Sequence, residues 1–287
     1  MVKYRKKIIF LGGKPLGARC LEHLVGLEEV EIIGVVCRDI ATKGWWHEEG
    51  TPRVIDIVEK YGLKKVSEEG LLEYDIDMGI SVLFFNIISE VLIRHCSNNI
   101  YNLHPAPLPY YRGSNSYSHA IINGEDEYGV TLHCIDKGID TGPIIKVRWF
   151  DIKDNMTSRM LHDKAQKEAF ELFKEQIPFL IEGKIKPIQQ EEILRTSQKE
   201  SYTYTKDSLN HLRKIELETI ERDPEYVNRI IRGLDFPPFE PAYFTINSKK
   251  VYLKSEHSLS WVRRKALKSE DRHTGTRQDS RKTHSRV

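Results

Sequence analysis

An asparagine and a histidine two residues apart end an apolar stretch of this chain, directly before a proline-rich segment. The segment reads NLHPAPLPYYRG, residues 102–113, with a proline at every second position from 105 to 109. In a β-strand, Asn102 and His104 point to the same face because side chains two apart do so. Each proline fixes φ and removes a backbone donor. The two polar side chains are therefore expected to be presented at a strand end that no helix covers.

An uncharged amide beside an imidazole suits a reaction in which a nucleophile attacks and an oxyanion develops. The amide N–H can donate to a developing oxyanion, and the imidazole can accept a proton from an attacking nucleophile. A third group would set the tautomer of the histidine, and the segment CIDKGIDTGPII offers Asp136 and Asp140 in a loop that also contains Gly138 and Gly142. The residues alone leave two interpretations open, a catalytic constellation or ordinary turn and cap chemistry.

Apolar runs that alternate with helical patterns predict the elements that position these residues. Strands are expected at 7–11, 30–36, 76–82 and 98–104, and paired strands at 128–135 and 142–150. One helix is expected over 51–62 with Thr51 as N-cap, Pro52 in its first position and Gly62 after its end, and another over 161–180 with Gly183 as its stop. The alternation indicates an α/β fold, a Rossmann-like, mostly parallel sheet with helices on both faces.

The pattern weakens after about residue 190, which suggests three parts. Residues 1–189 are expected to form the sheet domain, and residues 190–257 a small C-terminal region with a proline-rich loop and a hairpin at 236–253. Residues 258–287 carry a local charge of +6 with few apolar residues and are expected to be a disordered tail. The rest of the chain then has a charge of −4, which argues against a nucleic-acid partner.

Other patterns exclude several classes of protein. The four cysteines show no CxxC spacing, which argues against a zinc site or a disulfide framework. The apolar runs are too short for a membrane span or a signal peptide, so a cytoplasmic location is expected. Gly12, Gly13 and Gly17 do not fit GxGxxG. They favour a tight turn between strand and helix, with a loop that contacts substrate as the alternative.

The two motifs together resemble the folate-dependent formyltransferases. That family combines Asn-x-His-Pro, a proline-rich loop that ends Tyr-Arg-Gly, and a later Asp-x-Gly, which match NLHPAPLPYYRG and GVTLHCIDKGIDTGPII here. FLGGKPLGARCLEHL and FPPFEPAYFTINSKK resemble a narrower group, the N-formyltransferases that act on nucleotide-linked amino sugars. The resemblance implies Asn102, His104 and Asp140 as the catalytic set, as oxyanion donor, base and support for the base. It also implies 10-formyltetrahydrofolate as formyl donor, and no metal.

The resemblance further implies two binding surfaces. Residues expected to line the pterin are Phe84, Phe85, Asn86, Ile87, Asp136 and Gly138, although each Phe could equally be a core aromatic. Residues expected to bind the nucleotide-linked sugar, which the resemblance implies is a dTDP derivative, are Lys14, Pro15, Arg112, Gly113, Phe239 and Tyr243. His133 is expected to be structural, Trp45 and Trp46 to cover a ligand or a second subunit, and the protein to be a homodimer.

Four alternatives remain at this point. Methionyl-tRNA formyltransferases share the core motifs but carry a barrel-like C-terminal domain, for which residues 190–257 look too short. Glycinamide ribotide formyltransferases share the triad but usually lack a segment like FPPFEP. A nicotinamide-dependent oxidoreductase would explain a parallel sheet, but its fingerprint is missing. The last alternative is a binding module for folate or nucleotide without catalysis.

Overall fold

The structure is a computed structural model that describes residues 4–38 and 51–255. Its centre is one six-stranded sheet with helices packed on its faces. The predicted roles of Trp45 and Trp46 and of the tail at 258–287 concern residues outside the described ones.

The sheet is built from the buried apolar runs of the first half of the chain. Its strands in chain order are β1 (Lys6–Gly12), β2 (Val30–Val36), β3 (Met78–Val82), β4 (Ile100–His104), β6 (Glu127–Cys134) and β7 (Ile144–Asp151), with a short β5 (Tyr111–Gly113) outside the sheet. The spatial order is β2-β1-β3-β4-β6-β7. The first four strands are parallel, and β6 and β7 continue the sheet antiparallel. The α/β, Rossmann-like, mostly parallel sheet is therefore confirmed.

Helices cover the sheet on both faces. They are α1 (Lys14–Val25), α2 (Val54–Lys60), α3 (Glu68–Leu71), α4 (Glu90–His95), α5 (Ser116–Asn123) and α6 (Ser158–Ile181). A large apolar cluster joins one face of the sheet to α1, α2 and α6, and a second cluster, with Leu71, Leu92 and Ile93, joins the other face to α3 and α4. Every side chain of β3 is buried, as expected for a strand covered on both sides.

The punctuation of two helices was largely readable from sequence. Gly62 and Gly183 follow α2 and α6 with φ of +62° and +67°, the left-handed conformation that glycine adopts without penalty. The predicted start of α2 is wrong. Arg53 is its N-cap, since the Asp56 carboxylate accepts a hydrogen bond from the Arg53 N–H at 2.7 Å, and Thr51 and Pro52 precede the helix.

The C-terminal region contains more regular structure than its sequence pattern suggested. It comprises α7 (Gln190–Thr196), β8 (Tyr202–Tyr204), a 3₁₀ turn (Asn210–Leu212), α8 (Leu217–Arg222), α9 (Pro224–Leu234), β9 (Tyr243–Ile246) and β10 (Lys249–Tyr252). A third apolar cluster packs α9 against Ile122 of α5, and β8 pairs with β5. The predicted hairpin is confirmed as β9 and β10, joined through Asn247 and Ser248 at positive φ.

Candidate active site

The strand that carries Asn102 and His104 lies in the interior of the sheet. β4 is hydrogen-bonded to β3 on one side and to β6 on the other, so that Asn102 lies opposite Ser81 and His133. Leu103 is buried in the main core on the opposite face. The two polar side chains therefore share one face at the carboxyl end of the strand, which is where open α/β sheets bind ligands.

His133 sets the orientation of the Asn102 amide. The Nδ1 of His133 lies 2.8 Å from the Cys134 carbonyl oxygen, which can only accept, so Nδ1 carries the proton and donates. The Nε2 of His133 is then an acceptor, and the Asn102 Nδ2 donates to it at 3.0 Å. Burial, together with nearby His104, lowers the pKa of His133 to about 4. A neutral His133 thus fixes which end of the amide faces it and leaves the second Nδ2 hydrogen of Asn102 to donate elsewhere.

His104 lies between a backbone carbonyl and a carboxylate. Its Nε2 is 3.3 Å from the Tyr111 carbonyl oxygen, so Nε2–H is the donor there. The Nδ1 lone pair then faces the Asp140 Oδ1 at 3.6 Å, longer than a hydrogen bond but close enough for strong electrostatic attraction to a protonated ring. The ring of His133 stands edge-on at 6.3 Å. Nδ1 is accordingly the nitrogen at which a gained proton is stabilised.

Asp140 is held in an unusual backbone conformation and is ionised. Its φ is +54°, in the left-handed region. Its Oδ2 accepts a hydrogen bond from the Gly113 N–H at 3.1 Å. Burial alone would raise the pKa of Asp140, but His104, His133, the Gly113 N–H and Arg112 together outweigh burial and hold that pKa below its usual value. The pairing of a charged Asp140 with His104 is the arrangement expected from the sequence.

A buried side chain of β6 binds the backbone of the proline segment. Thr131 is fully buried, donates from Oγ1 to the Ala106 carbonyl at 2.7 Å and accepts from the Leu108 N–H at 3.0 Å. The hydroxyl of the fully buried Tyr128 donates to Ser116 at 2.8 Å. The two bonds of Thr131 thus tie Ala106 and Leu108, in the bends and turn that follow β4, to the sheet beside His104.

The end of the proline segment forms β5 and pairs in parallel with β8. Gly113 has φ of +80°, and an added Cβ would lie 2.3 Å from the Tyr204 carbonyl oxygen. The Arg112 guanidinium donates through Nε at 3.1 Å and through Nη2 at 2.5 Å to Oε1 of Gln190, the first residue of α7. Arg112 and Gly113 were expected to bind substrate. In the structure Arg112 contacts Gln190, and Gly113 contacts Asp140.

Residues expected to bind the pterin lie on two neighbouring segments. Phe84 and Ile135 pack partly buried against the same apolar cluster, which places 84–87 beside the 136–141 loop. Phe85 lies under the Arg38 guanidinium at 4.5 Å and fills the space where a Cβ at Gly13 would stand. Asn86 accepts a hydrogen bond from Arg38 at 3.2 Å. The close approach of Phe85 accounts for a glycine at position 13, in the short connection between β1 and α1.

Each of these two segments, 84–87 and 136–141, carries an exposed isoleucine. Ile87 and Ile139 are 76% and 56% exposed. Asp136 accepts hydrogen bonds from the Gly138 N–H at 3.0 Å and the Thr141 hydroxyl at 2.7 Å, which fixes the loop internally. Each of the two segments therefore exposes one apolar side chain to solvent, and the turn at 136–141 is held by its own hydrogen bonds.

The remaining residues expected to bind the sugar nucleotide lie in two places. Lys14 and Pro15 begin α1; Lys14 has φ of +57°, and burial lowers the pKa of its ammonium group. Phe239 is 48% exposed and lines a groove of about 410 Å³ with Pro237, Pro238 and Tyr252. Tyr243 is on β9, where its ring contacts Lys250 at 4.0 Å and Tyr252 at 6.0 Å.

Sequence reasoning missed three supports of this site. The orienting role of His133 follows from its register opposite Asn102, which the sequence does not give. Thr131 and Gln190 are buried polar residues in contact with the two motif loops. The signal that was available is position, since Thr131 lies in the GVTLHC strand two residues before His133; nothing local marks Gln190.

Two features are absent from the described residues. Within 4–38 and 51–255, no group of three or more His, Cys, Asp or Glu side chains is placed to hold a metal ion. Over the same ranges, no helix combines the length and the apolar character needed to cross a membrane.

Comparison with known proteins relates this geometry to a family. The chain is 31% identical over 199 residues to the methionyl-tRNA formyltransferase of Staphylococcus aureus strain Newman, a match that covers 66% of this chain and 63% of that protein. The chain therefore spans less than two thirds of the length of the curated relatives it matches.

Solved structures match over a larger share of the chain. The N-formyltransferase of Helicobacter canadensis, in complex with folinic acid and dTDP-3-aminofucose, superimposes with a TM-score of 0.67 at 25% identity, covering 86% of each chain. A 4-N formyltransferase of Francisella tularensis shares the fold, with a TM-score of 0.66 at 21% identity, over 87% of this chain and 98% of that one. The sequence profile of the formyl transferase family matches residues 6–177. The motifs, the fold and this match agree, and the chain belongs to the formyl transferase family.

Proposed function

We propose that this protein transfers a formyl group from 10-formyltetrahydrofolate to the amine of a nucleotide-linked amino sugar, with dTDP as the nucleotide. The observation that carries the proposal is the extent of the structural match. The Helicobacter canadensis enzyme, solved with folinic acid and dTDP-3-aminofucose, is matched in structure over 86% of its chain and 86% of this one. The C-terminal region of this chain thus has a counterpart in the sugar enzyme.

In this proposal Asn102, His104 and Asp140 carry the chemistry. The sugar amine attacks the formyl carbon, and the Nδ2 hydrogen of Asn102 that His133 leaves available donates to the charge that develops on the formyl oxygen. His104 Nδ1 accepts the proton that the amine loses as the new C–N bond forms. At 3.6 Å the ionised Asp140 attracts the positive charge of the resulting imidazolium. The proton then passes to N10 of the folate as the bond between N10 and the formyl carbon breaks, so that tetrahydrofolate leaves.

The folate is proposed to bind where two segments present apolar side chains. Ile87 follows β3 and Ile139 follows β6, and each exposes apolar surface that a flat pterin ring would bury. On the same two segments Phe84 packs against the apolar cluster and Phe85 lies against Arg38. Asn86, Asp136 and Gly138 make hydrogen bonds that hold these segments. The residues present therefore fit a planar group with an amide edge.

The sugar nucleotide is proposed to bind along the other side of the site. Lys14 and Pro15 open α1, a helix of 12 residues, and a lysine at a helix N-terminus suits a diphosphate. Phe239 and Tyr243 of the C-terminal region are proposed to lie near the base, where the exposed ring of Phe239 can stack. Arg112 and Gly113 link this side to Asp140.

The test is a direct assay. Purified protein is mixed with 10-formyltetrahydrofolate and a panel of dTDP-, GDP- and UDP-linked amino sugars, and product masses are read. We expect one dTDP-linked amino sugar to gain a single formyl group. Parallel reactions with methionyl-tRNA and glycinamide ribotide test the two related activities. Formylation of either of these, with every sugar unmodified, would refute the proposed acceptor.

Variants test the roles of the catalytic residues. His104→Asn and Asp140→Asn are expected to lower turnover at least about a hundredfold, the usual contribution of a positioned base. Both should keep the melting temperature and folate affinity close to wild type, because neither change alters volume much. Wild-type turnover in His104→Asn would contradict the mechanism.

Three expectations from the sequence remain predictions. They are a homodimer, a cytoplasmic location and the absence of a nucleic-acid partner. Sedimentation of the purified chain, with and without tRNA, would test the first and the last.

A further inference from the structure

Gln190 is a fully buried amide that joins the catalytic loop to β5. Its Nε2 donates to the carbonyl oxygens of Asp140 at 2.9 Å and Gly142 at 2.8 Å. Its Oε1 accepts from the Nε and Nη2 of Arg112, at 3.1 and 2.5 Å. The residue is 0% exposed, so water does not compete for these four contacts.

The contacts use the whole hydrogen-bonding capacity of the side chain. A glutamine amide has two N–H donors and two lone pairs on its oxygen, and here both donors meet carbonyl oxygens and the oxygen meets N–H groups. Rotating the amide by half a turn would place oxygen against oxygen and nitrogen against nitrogen. The orientation of Gln190 is therefore fixed by its neighbours, and it fixes them in turn.

The backbone of Asp140, to which Gln190 donates, is in a strained conformation. Asp140 adopts φ of +54°, a conformation that costs a non-glycine residue about 1–2 kcal/mol and persists where the surroundings enforce it. The two carbonyl groups that Gln190 binds lie at Asp140 itself and two residues beyond it. The bound Arg112 in turn helps to keep the pKa of Asp140 low.

We propose that Gln190 is a positioning residue for formyl transfer, which sets the place of the Asp140 carboxylate relative to His104. Gln190 acts through Asp140, so the inference rests on the proposed role of Asp140 in catalysis. It also means that α7, which lies after the matched family segment, contributes to the catalytic geometry.

The experiment compares Gln190→Ala and Gln190→Glu with Gln166→Ala in the full chain. Gln190→Glu keeps an acceptor for Arg112 but places a carboxylate oxygen against two carbonyl oxygens, so it should fail as the alanine variant does. Gln166→Ala is the matched control, since it removes a half-buried amide on α6 that donates to the Tyr117 hydroxyl at 3.2 Å. Turnover, KM for folate and acceptor, and melting temperature are measured with whichever acceptor the wild type formylates.

We expect both Gln190 variants to lose about a hundredfold in kcat, since a displacement of about 1 Å at a reacting group costs that much. The KM for folate should stay within about twofold, and Gln166→Ala should be as active as wild type. Wild-type kcat in Gln190→Ala, while Asp140→Asn is inactive, would overturn the inference and leave the proposed function standing.

A double-mutant cycle separates positioning from general loss of structure. If Gln190 acts through Asp140, Gln190→Ala should change the residual rate of Asp140→Asn by less than about threefold, because coupled residues are not additive. A further hundredfold loss in that background would overturn the inference. A fully active Asp140→Asn would instead refute the proposed catalytic role of Asp140.

Discussion

Replacing Gly113 by alanine should lower both the free energy of unfolding and the rate of formyl transfer. The size of the stability loss can be worked out from the structure. Gly113 has φ of +80°, which costs an alanine about 1–2 kcal/mol. The new Cβ would stand 2.3 Å from the backbone oxygen of Tyr204, so β5 and β8 must separate.

The separation has a cost of its own. The Ser114 N–H donates to the Tyr204 carbonyl at 2.8 Å and the Tyr202 N–H to the Tyr110 carbonyl at 3.1 Å, and each such bond contributes about 1 kcal/mol. Together the two effects predict a loss of about 3–4 kcal/mol in the free energy of unfolding. The same movement withdraws the Gly113 N–H from Asp140, which should raise the pKa of Asp140 and lower kcat by at least about tenfold.

Urea unfolding and the formyl-transfer assay check both parts. Gly62→Ala is the matched control, because Gly62 has φ of +62° with no heavy atom within 4 Å of an added Cβ, so it should cost only about 1 kcal/mol. If Gly113→Ala were no less stable than Gly62→Ala and equally active, the reasoning on close approach and on the Asp140 hydrogen bond would be refuted.

Two further variants test buried polar contacts. Thr131→Val keeps the volume but leaves the Leu108 N–H and the Ala106 carbonyl without their partner, so unfolding in urea should show a loss of about 2–3 kcal/mol; wild-type stability would contradict this. Burial lowers the pKa of His119 to about 4. The unfolded chain therefore takes up the proton first as pH falls below about 6.5, and stability conferred by neutral His119 is present above that pH and lost towards pH 4. Between pH 7 and pH 5 the wild type should lose about 2 kcal/mol more than His119→Gln in unfolding free energy; equal losses would refute the burial argument.

Much of the fold could be predicted because its signals are local. The sheet strands are short apolar runs that end at glycine or polar residues, and Gly62 and Gly183 mark helix ends by their conformational freedom. Helix α9 was missed although its signals are local, since Asp223 caps it, Pro224 occupies its first turn, and its buried residues Val227, Ile230 and Leu234 recur at helical spacing. The start of α2 was misplaced because Asp56 caps Arg53 from within the helix, a signal that competes with Thr51 and Pro52.

Part of the candidate site could likewise be predicted from local sequence, and part could not. Asn102, His104 and Asp140 could be named from two motifs, since residue types at fixed spacing carry the chemistry. The hydrogen bonds from Gly113 to Asp140 and from Asn102 to His133 depend on which strands become neighbours. That arrangement is a property of the whole sheet and has no local signal.

The pairing of β5 with β8 has a consequence for how this enzyme family can be divided or recombined. Strand β8 and Gln190 both lie beyond residue 177, where the family match ends, yet they hold Gly113 and Asp140 in place. A fragment cut at that point, or a chimera that joins a foreign C-terminal part there, would keep all three motif residues and lose two of their anchors. Exchange of acceptor specificity between relatives therefore has to carry the segment from Gln190 to Tyr204 along with the core, and a crossover placed after Tyr204 preserves both anchors.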